Sequence, residues 1–223
     1  MTEPFTDRRA AGGELADRLS EYAAREDVIV LGLPRGGVPV AHEVARALGV
    51  PLDVLVVRKL GVPGHEELAF GAIASGDTRV LNDDVVAAAD IDPADAVAVT
   101  KREAAEVERR ERFYRDDREQ LAVRARTAIV VDDGLATGAT MRAAVAVLRE
   151  RGAASIVVAV PTASPETCQD VGDVADEIVC ARTPRPFVAV GLWYRDFAPT
   201  SDNEVRELLE QAQSSPTHTR RGR

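Results

Sequence analysis

Cysteine is nearly missing from this chain: Cys168 and Cys180 are the only two in 223 residues. Two thiols cannot frame a disulfide-stapled scaffold, so both are expected to be small core or surface residues. Aromatic side chains are scarce as well, at 4%, with a single tryptophan, Trp193. Long hydrophobic runs are absent: no segment stays apolar over the ~20 residues that a bilayer requires. The opening stretch, MTEPFTDRRAAGGELADRL, also lacks an apolar signal region. The expected setting is therefore cytoplasmic, with no membrane partner. Positive charge is in deficit, the net charge being −9 and the isoelectric point about 5.0. That balance disfavours wholesale electrostatic binding to nucleic acid, while leaving room for a local basic patch. What the chain does have is aliphatic: hydrophobic residues make up 45% of it, enough at this length for a sizeable core.

Apolar periodicity divides the chain into alternating strands and helices. Leu15, Leu19 and Tyr22 have helical spacing within residues 14–25. Residues 28–33 read as a buried strand running into a turn of Pro34, Arg35, Gly36 and Gly37. VPVAHEVARALG is then a helix that Gly49 stops. PLDVLVV is a second strand through Val57, ending at the basic pair Arg58 and Lys59. The Gly- and Pro-punctuated segment 60–76 is expected to be a long, partly mobile loop, with His65, Glu66 and Glu67 as candidate acid–base groups.

A long helix is predicted over 93–121, with Asp92 as its N-cap and Pro93 at its first position. Glu106 with Arg110, Glu108 with Arg112, and Glu111 with Arg115 form i,i+4 pairs on a solvated face. Val107, Tyr114 and Leu121 fall seven apart and would dock on the core or on a second subunit. Residues 128–131 are the third strand, and Met141, Val145 and Leu148 mark the inner stripe of a helix ending near Gly152. SIVVAVP is a strand, SPETCQDVGDVA a helix capped by Ser164, and DEIVCA a short strand. Continuous apolar strands alternating with helices imply an α/β fold with a doubly wound, mainly parallel sheet. After Pro184, RPFVAVGLWYRDF reads as an added strand and SDNEVRELLEQAQ as a final helix. One domain over 1–213 is expected, with its core at about 28–182 and a disordered tail at 214–223.

The segment TAIVVDDGLATGATMRAA concentrates the chemistry. Its strand delivers Asp132 and Asp133 to the carboxyl edge of the sheet, where open α/β sheets bind ligands. Two adjacent buried carboxylates are costly unless something outside the protein neutralises or uses them. Gly134, Leu135, Ala136, Thr137, Gly138, Ala139 and Thr140 then cap the next helix. Small residues there let backbone N–H groups close around an anion, and the helix N-terminus adds its dipole. Thr137 and Thr140 supply hydroxyl donors. A terminal phosphate beside carboxylates that suit sugar hydroxyls or a hydrated cation describes a sugar phosphate.

VVDDGLATGAT resembles the phosphoribosyl pyrophosphate (PRPP) motif of the type I phosphoribosyltransferase family. GLPRGG is similar to that family's pyrophosphate loop, which carries a cis peptide. VRKLGVPG is similar to the Arg-Lys segment following the second strand in adenine- and orotate-type members. The resemblance covers about 28–182 and implies the family's fold, with a small hood built from the termini at about 1–25 and 183–213. It also implies Mg²⁺, met by Asp132 and Asp133 through water, and a homodimer, for which helix 93–121 is the candidate interface. Arg35, Gly36, Gly37, Arg58 and Lys59 would meet the diphosphate; Asp132 and Asp133 would meet the ribose, and residues 134–140 the 5′-phosphate. Arg35, Lys59, Asp132 and Asp133 are thereby the candidate catalytic residues. Trp193 and Tyr194 follow the last apolar strand and are candidates to stack on a planar base. Where 6-oxopurine members have an Asp, this chain has Ala136, and the segments GHEELAFGAIASG and GLWYRDFAPTSDNEV do not resemble adenine-type members. The acceptor is not readable from the sequence.

The implied reaction displaces pyrophosphate from C1 of PRPP by a nitrogen nucleophile. The alternative is a PRPP-binding sensor without turnover; the intact Arg35, Lys59 and Asp132–Asp133 set favours catalysis. A PRPP-forming kinase would need a longer, two-lobed chain with ATP-binding elements.

Overall fold

The structure, a computed structural model, describes residues 3–75, 78–89, 91–115 and 118–214. Its centre is a five-stranded parallel sheet of β1 (Val28–Gly32), β2 (Leu52–Val54), β6 (Thr127–Val131), β7 (Ser155–Thr162) and β8 (Glu177–Arg182), ordered β2-β1-β6-β7-β8. Successive residues of β1 point to opposite faces, as the two-residue period of a strand requires. Val28 and Val30 join one apolar cluster with α1 (Arg8–Arg18), α2 (Gly37–Leu48), α4 (Pro93–Arg115) and α7 (Asp202–Ser214). Ile29 and Leu31 join a second cluster with α5 (Ala139–Glu150) and α6 (Pro165–Gly172). Both faces are covered, which is why these strands read as unbroken apolar runs. With α3 (Asp83–Ala88) the described residues hold seven α-helices, and the fold is the doubly wound α/β fold expected.

Register decides where the site forms. Gly32 lies opposite Val131, so the turns leaving β1 and β6 emerge side by side at the carboxyl edge. Leu33 N donates to Val131 O at 2.9 Å and extends this pairing one step past the strands.

Several expectations are corrected. Segment 60–76 is not a loop: β3 (Val57–Val62) and β4 (His65–Ala74) form an antiparallel hairpin, extended by β5 (Arg79–Leu81) into a second sheet packed between α4 and α5. Its Pro and Gly punctuate a turn, where Gly64 has φ +78°, while Leu60, Val62, Phe70 and Ile73 are buried. Gly76 and the side chains of Glu66 and Glu67 lie outside the described residues. The second strand accordingly breaks after Val54, and Arg58 and Lys59 belong to β3. The first helix runs over Arg8–Arg18, earlier than predicted, because the Asp7 side chain caps it by accepting from Ala10 N. Leu19 and Tyr22 are buried as predicted, but on a following 3₁₀ turn. RPFVAVGLWYRDF forms no strand: residues 183–189 are irregular and a 3₁₀ turn covers Val190–Trp193. Pro184 and Pro186 have no N–H to donate to a ladder. Cys168 on α6 and Cys180 on β8 are joined as a disulfide, with Cα atoms 6.7 Å apart, because the helix packs across the strand that follows it.

The long helix ends at Arg115, short of the predicted 121. Asp92 caps it, accepting from Ala94 N at 2.7 Å. The pairs Glu106–Arg110 at 2.6 Å, Glu111–Arg115 at 3.7 Å and Glu108–Arg112 form as their spacing predicts. Val107 and Tyr114 dock on the chain's own core, and Leu121 is half-buried beside the second cluster. Apart from Ser214, which closes α7, the predicted disordered tail lies outside the described residues. No helix among the described residues is long and apolar enough to cross a membrane.

Candidate functional site

The turn after β1 and the loop after β6 meet with almost no space between them. A Cβ on Gly37 would come 2.6 Å from Val131 O and 2.8 Å from Asp132 Cα. A Cβ on Gly36 would come 2.0 Å from Asp133 Oδ2. Only glycine permits this approach, and it brings the Arg35–Gly37 turn against both carboxylates. The Pro34–Arg35 peptide is cis, as the resemblance implies. Arg35 is exposed and forms no ion pair among the described residues.

Asp132 Oδ1 accepts from Asp133 N at 2.8 Å. Burial pushes the Asp132 carboxyl well above the usual carboxylate range, and the charge of Asp133 adds to the rise, against the pull of the Asp133 N–H and of Arg8. Asp133 is raised too, again by burial first, with Arg8 opposing. The source of that opposition is an ion pair that sequence reasoning missed: Arg8 Nε donates to Asp133 Oδ2 at 2.8 Å. Nothing local signals it, since the partners are 125 residues apart.

The remaining loop is built to present its end to solvent. Leu135 is buried and its N–H is taken by Thr162 O at 3.0 Å, while the Ala136 carbonyl accepts from Thr167 Oγ1 at 3.1 Å. These bonds fix the base of the loop and leave Ala136, Thr137 and Thr140 exposed. Gly138, at φ +69°, turns the chain into α5, and no side chain caps that helix from the Gly138 position. The arrangement suits an anion at the N-terminus of α5.

Both ends of the chain close over this floor. Phe5 N donates to Trp193 O and Arg195 N to Phe5 O, each at 2.8 Å. Tyr194 is buried; its hydroxyl donates to the Asp133 carbonyl at 2.5 Å, and its ring stacks on Phe197 at 5.0 Å and lies 5.5 Å from Phe5. Burial, with the Asp133 charge, drives its phenol above the ordinary range. Trp193 is half-buried against the same cluster. Arg58 is held by Glu103, its Nε 2.8 Å from Oε2. The pleat turns Lys59 to the other face of β3, the face shared with Val57, which packs in the α5 cluster. Arg35–Gly37, Asp132, Asp133 and residues 136–140 are thus brought together, while the Arg58 guanidinium is engaged elsewhere. Among the described residues no group of three His, Cys, Asp or Glu side chains could hold a metal.

Residues 4–183 match the model of the phosphoribosyl transferase domain family. Two Mycobacterium tuberculosis proteins, provisionally named as phosphoribosyl transferases, are each 50% identical over 208 residues. The match takes in 93% of this chain and 47% of theirs, so the chain spans about half the length of these relatives. A Thermus thermophilus protein of known crystal structure is 42% identical with a TM-score of 0.86, over 93% of this chain and 98% of that one. A hypoxanthine-guanine phosphoribosyltransferase from Bacillus anthracis, at 13% identity and TM-score 0.50 over 88% and 94% of the two chains, shares the fold.

Proposed function

The chain belongs to the phosphoribosyl transferase domain family, and from that premise we propose that it binds Mg-PRPP and transfers the phosphoribosyl group to a nitrogen of a base or similar acceptor, releasing pyrophosphate. One observation carries the proposal: two neighbouring carboxylates, both raised by burial, rest on the Gly36–Gly37 turn beside the N-terminus of α5, where the Ala139 N–H meets Thr137 Oγ1 at a long 3.4 Å. Carboxylates for ribose hydroxyls and N–H groups for a phosphate follow one another along a single loop between β6 and α5.

In the reaction proposed, the acceptor nitrogen's lone pair forms a bond to C1 as the C1–O bond breaks, and that electron pair leaves with the diphosphate. The acceptor's proton goes to solvent. Arg35, exposed and without an ion pair among the described residues, meets the leaving charge, and Lys59 joins it from β3. Asp132 and Asp133 hold the ribose and tolerate positive charge on the ring. Residues 134–140 anchor the 5′-phosphate, through the exposed Thr137 and Thr140 and the α5 N-terminus, and so fix the geometry of attack. A Mg²⁺ ion brought with the diphosphate would neutralise the leaving group. The donor set fits a hydrated ion, with Asp132 and Asp133 reaching it through water and the ligand supplying direct bonds. Trp193 remains a candidate wall for the acceptor, whereas Tyr194 has its ring covered and its hydroxyl in use.

A sensor without turnover is the second reading, favoured by one observation: Arg58, a candidate diphosphate group, is held by Glu103. The cytoplasmic setting and the homodimer belong to this proposal as well; sedimentation velocity checks the dimer. The decisive test is calorimetric titration of PRPP with Mg²⁺, followed by pyrophosphate release across a panel of bases. Asp133→Asn is expected to weaken PRPP at least tenfold, and Arg35→Ala to remove turnover with the fold intact. Absence of PRPP binding by the folded wild type overturns the proposal; binding without release from any acceptor selects the sensor.

A further inference from the structure

Arg8 stands on the first turn of α1, yet it reaches across the hood into the sugar-phosphate site. Its guanidinium has three close engagements, besides a longer approach of 6.0 Å to the Tyr194 ring. Nε donates to Asp133 Oδ2 at 2.8 Å, Nη1 donates to the Ala198 carbonyl at 2.8 Å, and its central carbon lies 4.0 Å from the centre of the Phe197 ring. Divergent donors on a stacked plane hold a guanidinium in one place, and a lysine could not reproduce them. Both side chains of the pair are nearly enclosed, at 12% and 16% exposed, so this is not the loosely held surface ion pair that contributes little.

The contact also leaves Asp133 usable. Arg8 takes Oδ2, while Oδ1 accepts no hydrogen bond among the described residues and is not among the buried unpartnered atoms. One oxygen is anchored and the other remains for a ligand. Tyr194 meanwhile ties the backbone of the same residue through its carbonyl. Among the described residues Asp132, by contrast, is oriented from within the loop, by the N–H of Asp133.

We infer that Arg8 is a positioning residue for PRPP: it acts through Asp133, fixing the carboxylate that receives the ribose hydroxyls. The inference rests on the function proposed above. The hood is thereby part of the sugar-phosphate site as well as a cover over the acceptor. Anchored at one oxygen, Asp133 meets the ribose without first losing rotamer freedom, so its share of the binding energy is not spent on ordering.

The test is calorimetry with two probes, Mg-PRPP and Mg-pyrophosphate, on the wild type, Arg8→Gln, Arg8→Lys, Asp133→Asn and the Arg8→Gln/Asp133→Asn double variant. Pyrophosphate has no ribose, so it lacks the direct contact to Asp133 and meets that carboxylate only through the water shell of its Mg²⁺. Arg8→Gln is expected to weaken PRPP about tenfold, the usual scale for losing a charge-assisted hydrogen bond, and to change pyrophosphate affinity less than about twofold. On the Asp133→Asn background it should weaken PRPP by less than about twofold, because its partner is already neutral. Arg8→Lys keeps the charge but cannot span both acceptors, and should fall between; if Arg8→Gln does not fold, this variant carries the same expectation at smaller size. Parallel weakening of both probes, or an equal effect on both backgrounds, identifies a merely structural role and overturns the inference. Tighter PRPP binding in Arg8→Gln identifies an obstructing contact and overturns it too. A wild type that binds PRPP while Arg8→Gln matches it sinks this inference alone, whereas a folded wild type that binds no PRPP sinks the proposed function and this inference with it.

Discussion

Gly36 shows how a residue with no side chain can hold a site together. The Asp133 carboxylate occupies the volume where its Cβ would be, 2.0 Å from Oδ2 and 2.7 Å from Cγ. Gly36→Ala therefore does not strain the backbone so much as displace the far end of a side chain, pushing the Asp133 carboxylate off Arg8. Displacements of about 1 Å at a reacting centre cost on the order of a hundredfold in rate. The variant should lose pyrophosphate release on that scale while its melting temperature moves only slightly. Wild-type turnover in this variant would show that Asp133 does not work from the position it occupies here. The doublet GG was legible in the sequence as a tight turn; what it makes room for was not, because the second wall of that gap is 97 residues further on, at Asp133.

At the scale of elements, α4 combines what a sequence reveals and what it hides. Its i,i+4 pairs formed where the spacing placed them, since such pairs depend only on helix geometry. Arg115, taken as a solvated partner of Glu111, instead turns inward: its Nη1 lies 2.7 and 2.6 Å from the two oxygens of buried Asp53, and Nη2 donates to Val54 O at 2.6 Å. Asp53 sits 62 residues away, on an edge strand that reads as simply apolar. Arg115→Met leaves that carboxylate buried without its cation and is expected to lower the unfolding free energy by ~3–5 kcal/mol in urea. Adding Asp53→Val should recover much of the loss. A single variant as stable as the wild type would mean that the pair is not buried in solution. The hairpin of β3 and β4 hides for a related reason: Gly and Pro mark loops and two-residue turns alike, and the burial of Leu60, Val62, Phe70 and Ile73 is what separates them.

For the whole molecule, the parallel sheet was the most legible part, because strands covered on both faces carry unbroken apolar runs that few other arrangements tolerate. The hood was the least legible, because contacts between the two ends leave no periodic trace. One of its ties joins α1 to β8: Arg182 Nε donates to Glu14 Oε1 at 3.1 Å. Hydrogen bonding to Arg182 is the chief influence lowering the Glu14 carboxyl, with burial opposing it. A carboxylate depressed in the folded state adds stability above its unfolded pKa and loses that contribution as pH falls through the folded value. Glu14→Gln should therefore melt below the wild type at pH ~6, with the gap narrowing as the pH falls below the ordinary carboxylate range of about 4. A gap that persists undiminished into acid would assign the loss to packing rather than to charge.

The pairing of Gly32 with Val131 has a further consequence, for which changes in chain length the protein can accept. Two turns leave the sheet at one height only because β1 and β6 run level over five paired positions. Adding or deleting one residue in either strand would reverse the in–out order of everything beyond it. A change in β6 would make Asp132 and Asp133 exchange sides, a change in β1 would do the same to the turn at Arg35–Gly37, and the apolar faces of that strand would present the wrong residues to their helices. Such an insertion destroys the site even though every functional side chain is still encoded. The irregular stretch at 183–189 and the turn at Gly64 carry no such alternation, and length changes can be absorbed there. The spacing between β1 and its turn, and between β6 and its carboxylates, is thus as much part of the site as the acids themselves.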